Sequence, residues 1–283
     1  MNRNVRYLQL AGVQLVAIAV TILVCVFTAT GQHADQAAMV ATTASTNPVL
    51  RLAQHASANY ILIVAALTMI LSIVAAVVRR RYAEAVAASV LFVGASVVTQ
   101  VLKNEVIARP DLASGWGAYG NSLPSGHATI AIAAACAALF ASPTRMKWVL
   151  APVLVVWTTV AGMGVIAAGW HRPSDVVTAS LVVGFWCTIA ALLVAAARRR
   201  SGHTAPVLTA AQRRLRGVAP VLIVGAAITA VALCASYASG SGRTLATAVL
   251  TAATISATVL GALAVSGGLP SARSRAGSPM PNA

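Results

Sequence analysis

Long uncharged apolar runs, rich in Ala, Leu and Val, with arginines gathered at their ends, predict an all-α fold: a polytopic membrane helical bundle. Of 283 residues, 59% are hydrophobic and 9% are charged. Soluble domains carry about 25% charged residues, so most of this chain has no water to face. A spanning helix needs ~20 apolar residues, because the hydrocarbon core is ~30 Å thick and each residue rises ~1.5 Å. The runs lack the alternation of barrel strands, which leaves helices as the way to satisfy the backbone in lipid.

In chain order the spans are expected at 8–30, 60–78, 85–102, 128–142, 148–168, 176–197, 218–237 and 244–265. The first follows Arg3 and Arg6 as a signal peptide would, but it exceeds the ~7–15 residues of a typical signal core and reads as a retained helix. Segment 31–59 is polar, carries Pro48, and reads as an outer loop with room for a short interfacial helix. The fourth run is short and leaves little room for tilt. Segment 103–126 is a second outer loop, broken by Pro110, Gly115, Gly117, Gly120 and Pro124. The tail 267–283 is rich in Ser, Pro, Gly and Arg and reads as disordered. The resulting division is a six-span core over 1–200, a basic cytoplasmic loop over 201–217, two further C-terminal spans within 218–266, and the tail.

The net charge of +15 does not point to nucleic acid, because the cations are not gathered in one patch with interleaved aromatics. Their distribution sets topology instead. With the N-terminus cytoplasmic, Arg51, Lys103, Arg109, Arg172 and Arg243 lie outside, and the remaining Lys and Arg lie inside. The reverse topology would invert the positive-inside bias. Cys25, Cys136, Cys187 and Cys234 each fall in an apolar run without a CxxC partner, and read as small hydrophobes rather than disulfides or metal ligands.

Chemistry concentrates on the outer side. The chain has five acidic residues, Asp35, Glu84, Glu105, Asp111 and Asp175. Three of them fall in the stretches that carry Lys103, Arg109 and His171. Lys103 ends the third span, Pro124-Ser125-Gly126-His127 opens the fourth, and the chain returns outside at Trp170-His171-Arg172-Pro173-Ser174-Asp175. Two histidines, two arginines and a lysine thus converge at one membrane surface, a site for an anion, with phosphate the best fit. A helix opening at Ser125 and Gly126 offers N–H groups to phosphate oxygens. Asp175, one helical turn after His171, can take the Nδ1 proton and leave Nε2 free to attack. His127 can then protonate a leaving oxygen.

At these residues the sequence resembles the type 2 phosphatidic acid phosphatase superfamily, which includes vanadium haloperoxidases. Lys103 and Arg109-Pro110 look like its first motif, Pro124-Ser125-Gly126-His127 matches its second, and His171 with Asp175 matches the end of its third. The resemblance covers roughly 8–200. It implies a six-span phosphatase-like core with two further C-terminal spans outside it, and no metal cofactor. It also implies a nucleophile at His171, a general acid at His127, and phosphate binding by Lys103, Arg109, Ser125 and Gly126. The substrate class implied is a phosphomonoester or pyrophosphate of a lipid, hydrolysed at the outer face of the cell membrane.

There are two departures. Lys103 stands one residue closer to Arg109-Pro110 than the commonest spacing. The Ser-Arg pair of the third motif falls on Gly164-Val165, so an arginine expected on the phosphate is missing. Arg172, beside His171, is the candidate substitute; the competing reading has it snorkel to headgroups. The alternative function is a transporter or a degenerate protein keeping a relict anion site. Trp116 and Tyr119 either line a lipid entrance or anchor at the interface. His33, His55 and His203 read as solvated or headgroup-facing.

Overall fold

The computed structural model describes residues 3–113, 120–200 and 240–266. They form helices α1 (Arg3–Phe27), α2 (Ala29–Thr43), α3 (Pro48–Val78), α4 (Tyr82–Val101), α5 (Gly126–Ala141), α6 (Thr144–Ala167), α7 (Pro173–Arg200) and α8 (Gly240–Val265). A single π turn, Leu102–Val106, continues α4. The fold is an all-α polytopic bundle. The expected span at 218–237, the basic loop, the tail, Trp116, Tyr119 and Cys234 lie outside the described residues.

Segment 31–59, expected to be a loop with room for a short helix, is almost wholly helical. Thr28 ends α1 and caps α2, donating to the Val24 carbonyl at 2.7 Å and accepting from the Gly31 N–H at 3.0 Å. The corner is tight enough that a Cβ on Gly31 would overlap the Val24 carbonyl oxygen. Helix α3 then starts at Pro48 behind an Asn47 cap, twelve residues before the expected span at 60. At ~1.5 Å per residue its 31 residues outrun a ~30 Å hydrocarbon layer. Its first turns carry the polar residues Arg51, His55 and Asn59, ahead of the apolar stretch.

Helices α5 and α7 form the centre, with α1, α3, α4, α6 and α8 around them. Helix α5 is apolar on all sides and buried along nearly its whole length, which is how a 16-residue helix, too short to cross by itself, is accommodated. The outward faces of α1, α3 and α6 expose Leu15, Leu23, Leu67, Leu71, Val149 and Val153, as a lipid-facing surface requires. Helix α8 is packed into this core against α2, α5, α6 and α7.

The cations at the end of the bundle away from α2 hold structural contacts. Glu84 accepts from Arg81 at 3.2 Å and from Arg198 at 3.1 Å. Arg81 also donates to the Ala141 carbonyl at the end of α5, and Lys147 to the Ser266 carbonyl at the end of α8, each satisfying a helix-terminal acceptor. At the other end of the bundle Thr244 of α8 donates to the Ala41 carbonyl of α2. Cys25, Cys136 and Cys187 are buried and are in no disulfide.

Candidate active site

Three segments distant in sequence meet at the α2 end of the bundle, and each is held there by local chemistry. Ile107 and Leu123 pack with Val26 of α1 in a small apolar cluster, which brings the segment of Arg109 beside the segment of Ser125. Asn121 ties the same two segments with polar bonds, donating to the Lys103 carbonyl at 2.9 Å and the Leu123 carbonyl at 3.0 Å. The π turn turns Lys103 out of the α4 register, a local distortion of a kind frequent at functional sites.

The third segment is positioned by a helix end. Gly169 adopts φ +71°, a left-handed conformation that glycine takes without steric cost, and closes α6. The chain then doubles back so that the N–H groups of Trp170 and His171 both donate to the Val165 carbonyl, at 3.1 and 3.3 Å. Asp175 lies on the first turn of α7. Its fully buried carboxylate meets His171 Nδ1 at 3.2 Å and accepts the Arg172 N–H at 2.8 Å. A carboxylate can only accept, so Nδ1 carries the proton and the His171 Nε2 lone pair is left available.

His127 faces this imidazole, the ring centroids 6.2 Å apart, with exposed Trp170 tilted over it at 5.3 Å. Lys103 is near enough to His127 for their charges to interact. Arg109 interacts electrostatically with Arg172, Asp35 and Asp175, and its Nη1 is buried without a hydrogen-bond partner. A buried guanidinium nitrogen without a protein partner, near a second arginine, is a donor suited to an anion.

The start of α5 is partly spoken for, which narrows the sequence reading. Ser125 is buried; its N–H donates to the Asp175 carbonyl at 3.0 Å, and its Oγ caps the helix by accepting from Ala128 N–H at 3.3 Å. The N–H groups of Gly126 and His127, at the first turn of the same helix, have no acceptor within it. The Ser125 N–H ties the α5 and α7 starts together, and its hydroxyl, accepting from Ala128, still has a proton to donate. Gly126 is tight against Gln100, whose Nε2 would lie 3.2 Å from an added Cβ.

Arg172 is 5% exposed, so it does not snorkel to headgroups. Its Nε donates to Gln36 Oε1 and its Nη1 to Ser122 Oγ, both at 2.7 Å. At the motif departure, Val165 is fully buried in the core. A Cβ on Gly164 would overlap the Ala53 carbonyl oxygen and the Ser57 hydroxyl of α3. Glycine at 164 thus serves the close approach of α3 and α6.

Helix α2 contributes three residues that the sequence reading passed over. Gln32 donates to the Pro110 carbonyl at 2.6 Å and accepts from the Leu112 N–H at 3.3 Å. Gln36 holds Arg172. Asp35 accepts the Ser174 N–H at 3.0 Å and the Ser174 hydroxyl at 2.5 Å. Burial and then the charge of Asp175 push the Asp35 carboxyl up to about 6, against the Ser174 bonds and Arg172. The signal was present: Asp35 is one of five acids in the chain, and an acid kept in so apolar a sequence marks a function or a partner.

Residues 85–200 match the family model described as PAP2 superfamily, the superfamily that the three motifs resemble. That stretch contains Lys103, Arg109, Ser125, Gly126, His127, His171, Arg172 and Asp175; α2 lies before it and α8 after it. No curated protein and no solved structure matches the chain.

Proposed function

We propose that this protein is a membrane phosphatase that hydrolyses a phosphomonoester or pyrophosphate of a lipid through a phosphohistidine on His171. The observation that carries the proposal is the His171 imidazole fixed by buried Asp175, with His127 opposite and the unpaired Arg109 nitrogen beside them. His171 Nε2 attacks phosphorus. The N–P bond forms as the P–O bond to the lipid breaks, and the leaving oxygen takes a proton from His127. Water then gives a proton to His127 and attacks phosphorus, the N–P bond breaks, and inorganic phosphate leaves. Lys103, Arg109, and the N–H groups of Gly126 and His127 hold the charge that develops on the phosphoryl oxygens. Residues 1–200 would be the phosphatase-like core and the later spans an addition to it.

The test is phosphate release by purified protein from phosphatidic acid, phosphatidylglycerophosphate, and polyprenyl phosphate and pyrophosphate. The clamp consists of side-chain cations and backbone donors, and among the described residues no group of three His, Cys, Asp or Glu stands in ligand positions. Hydrolysis is therefore expected to persist in EDTA; complete loss, restored by one divalent metal, would refute this reading of the clamp. Val165 in place of the motif arginine favours the competing reading of a non-catalytic anion site, and absence of release from every lipid would support it.

The positive-inside bias supports an active site facing out of the cytoplasm in the cell membrane, with both termini inside. In a background lacking the native cysteines, Thr46→Cys and Arg79→Cys should label with an impermeant thiol reagent from opposite sides of the membrane, Thr46→Cys from outside. Both residues are exposed. Labelling of both from one side would overturn the topology.

A further inference from the structure

We infer that Gln36 and Asp35 of α2 are positioning residues for the phosphate site, Gln36 by aiming the Arg172 guanidinium at the phosphate and Asp35 by keeping Asp175 for His171. The inference rests on the phosphatase reading above and deepens it. Neither residue touches the reacting atoms, and both lie outside the matched stretch 85–200.

The geometry of Gln36 addresses the missing arginine. With Val165 buried in the core, no cation reaches the site from that position of α6. Arg172 lies near Arg109 electrostatically and is taken at two of its nitrogens, Nε by Gln36 and Nη1 by Ser122. Two contacts on a planar group fix both its position and its plane. A guanidinium held this way meets an anion already oriented.

Asp35 acts two residues further along the α7 start, at Ser174. Both its oxygens are bonded to Ser174, which lies between Arg172 and Asp175 in the first turn of α7. The carboxylate also faces Arg172 and Arg109 electrostatically. Two guanidinium groups and His171 therefore share two buried carboxylates. Without the charge on Asp35, Asp175 alone would answer both arginines, and its bond to His171 Nδ1 would weaken. Gln32, one turn earlier on α2, holds the Arg109 segment through Pro110 and Leu112. The helix thereby sets the two cation-bearing segments relative to each other.

The experiment uses full-length protein in detergent, with kcat and KM on a lipid phosphate that the wild type hydrolyses, inhibition by vanadate, and the thermal midpoint. Arg172→Ala is expected to lower kcat roughly tenfold or more, the loss of one charge-assisted contact. Gln36→Leu should lose part of that, with its midpoint kept. The double variant should be no slower than Arg172→Ala alone, because Gln36 works only through Arg172. Asp35→Asn keeps an acceptor for the Ser174 N–H and removes the charge; kcat should fall with KM little changed, and Asp35→Ala should fall further. Additive losses in the double variant, wild-type turnover in Arg172→Ala, or an Asp35→Asn indistinguishable from wild type would overturn the inference. If the wild type releases no phosphate from any lipid, the proposed reaction fails by itself. Stabilisation by vanadate then decides: its presence in wild type and loss in Gln36→Leu upholds the positioning role, and any other pattern ends it.

Discussion

His171→Ala should reduce turnover by roughly a thousandfold or more, since removing the residue that forms the covalent bond costs about as much as removing a whole catalytic unit. The expectation follows from the buried Asp175 partner at 3.2 Å, which fixes one tautomer of this histidine. Phosphate transferred to a histidine nitrogen is acid-labile, so rapid quenching of wild type with a labelled lipid phosphate should trap a phosphoprotein that acid destroys and alkali spares. The variant should show none. Asp175→Asn should lie between the two, because the amide can present its N–H₂ to Nδ1 and favour the wrong tautomer. An equal phosphoprotein signal in His171→Ala, or full turnover without it, would remove His171 from the mechanism.

A second large effect is expected where the chain departs from its motif. Gly164→Ser with Val165→Arg would rebuild the Ser-Arg pair in sequence, and should damage the fold rather than improve catalysis. A Cβ at 164 overlaps the Ala53 carbonyl oxygen and the Ser57 hydroxyl. Backbone cannot rotate aside as a side chain can, so α3 and α6 would have to part; overpacking of this kind costs ~1–3 kcal/mol or more. An arginine at fully buried 165 adds a charge without a partner, itself worth several kcal/mol. Thermal unfolding in detergent should show the single Gly164→Ser variant clearly lowered and the double variant lower still or unfolded. A double variant with the wild-type midpoint and higher turnover would show that the departure is neutral drift, not a packing solution.

Much of this molecule was legible without coordinates. Hydropathy located α1, α4, α5, α6, α7 and α8 because a span must be apolar along its length, and that demand is written locally. Lys103, Arg109, Ser125, Gly126, His127, His171 and Asp175 could be assembled on paper because alternating crossings return every second connection to one side. Segment 31–59 failed for the converse reason. Its polar composition reads as loop, yet its side chains bond to residues more than a hundred positions away, and periodicity carries no record of such partners. Asp35 was visible as a rare acid, but its partner Ser174 was not.

By itself, then, the sequence determined a helical membrane bundle with several apolar crossings, and it named the residues proposed to hold and attack a phosphate. Those depend on solvent preference and on side-chain chemistry, both properties of residue type. Tertiary structure alone decided which of those groups are free to act. It committed the Ser125 N–H to the Asp175 carbonyl, left Arg109 Nη1 unpaired, withdrew Arg172 from the surface into the grip of Gln36, and gave Gly164 to the contact between α3 and α6. Each of these is a choice of hydrogen-bond or packing partner across the bundle, made when buried polar groups must be satisfied and helices must approach without overlap.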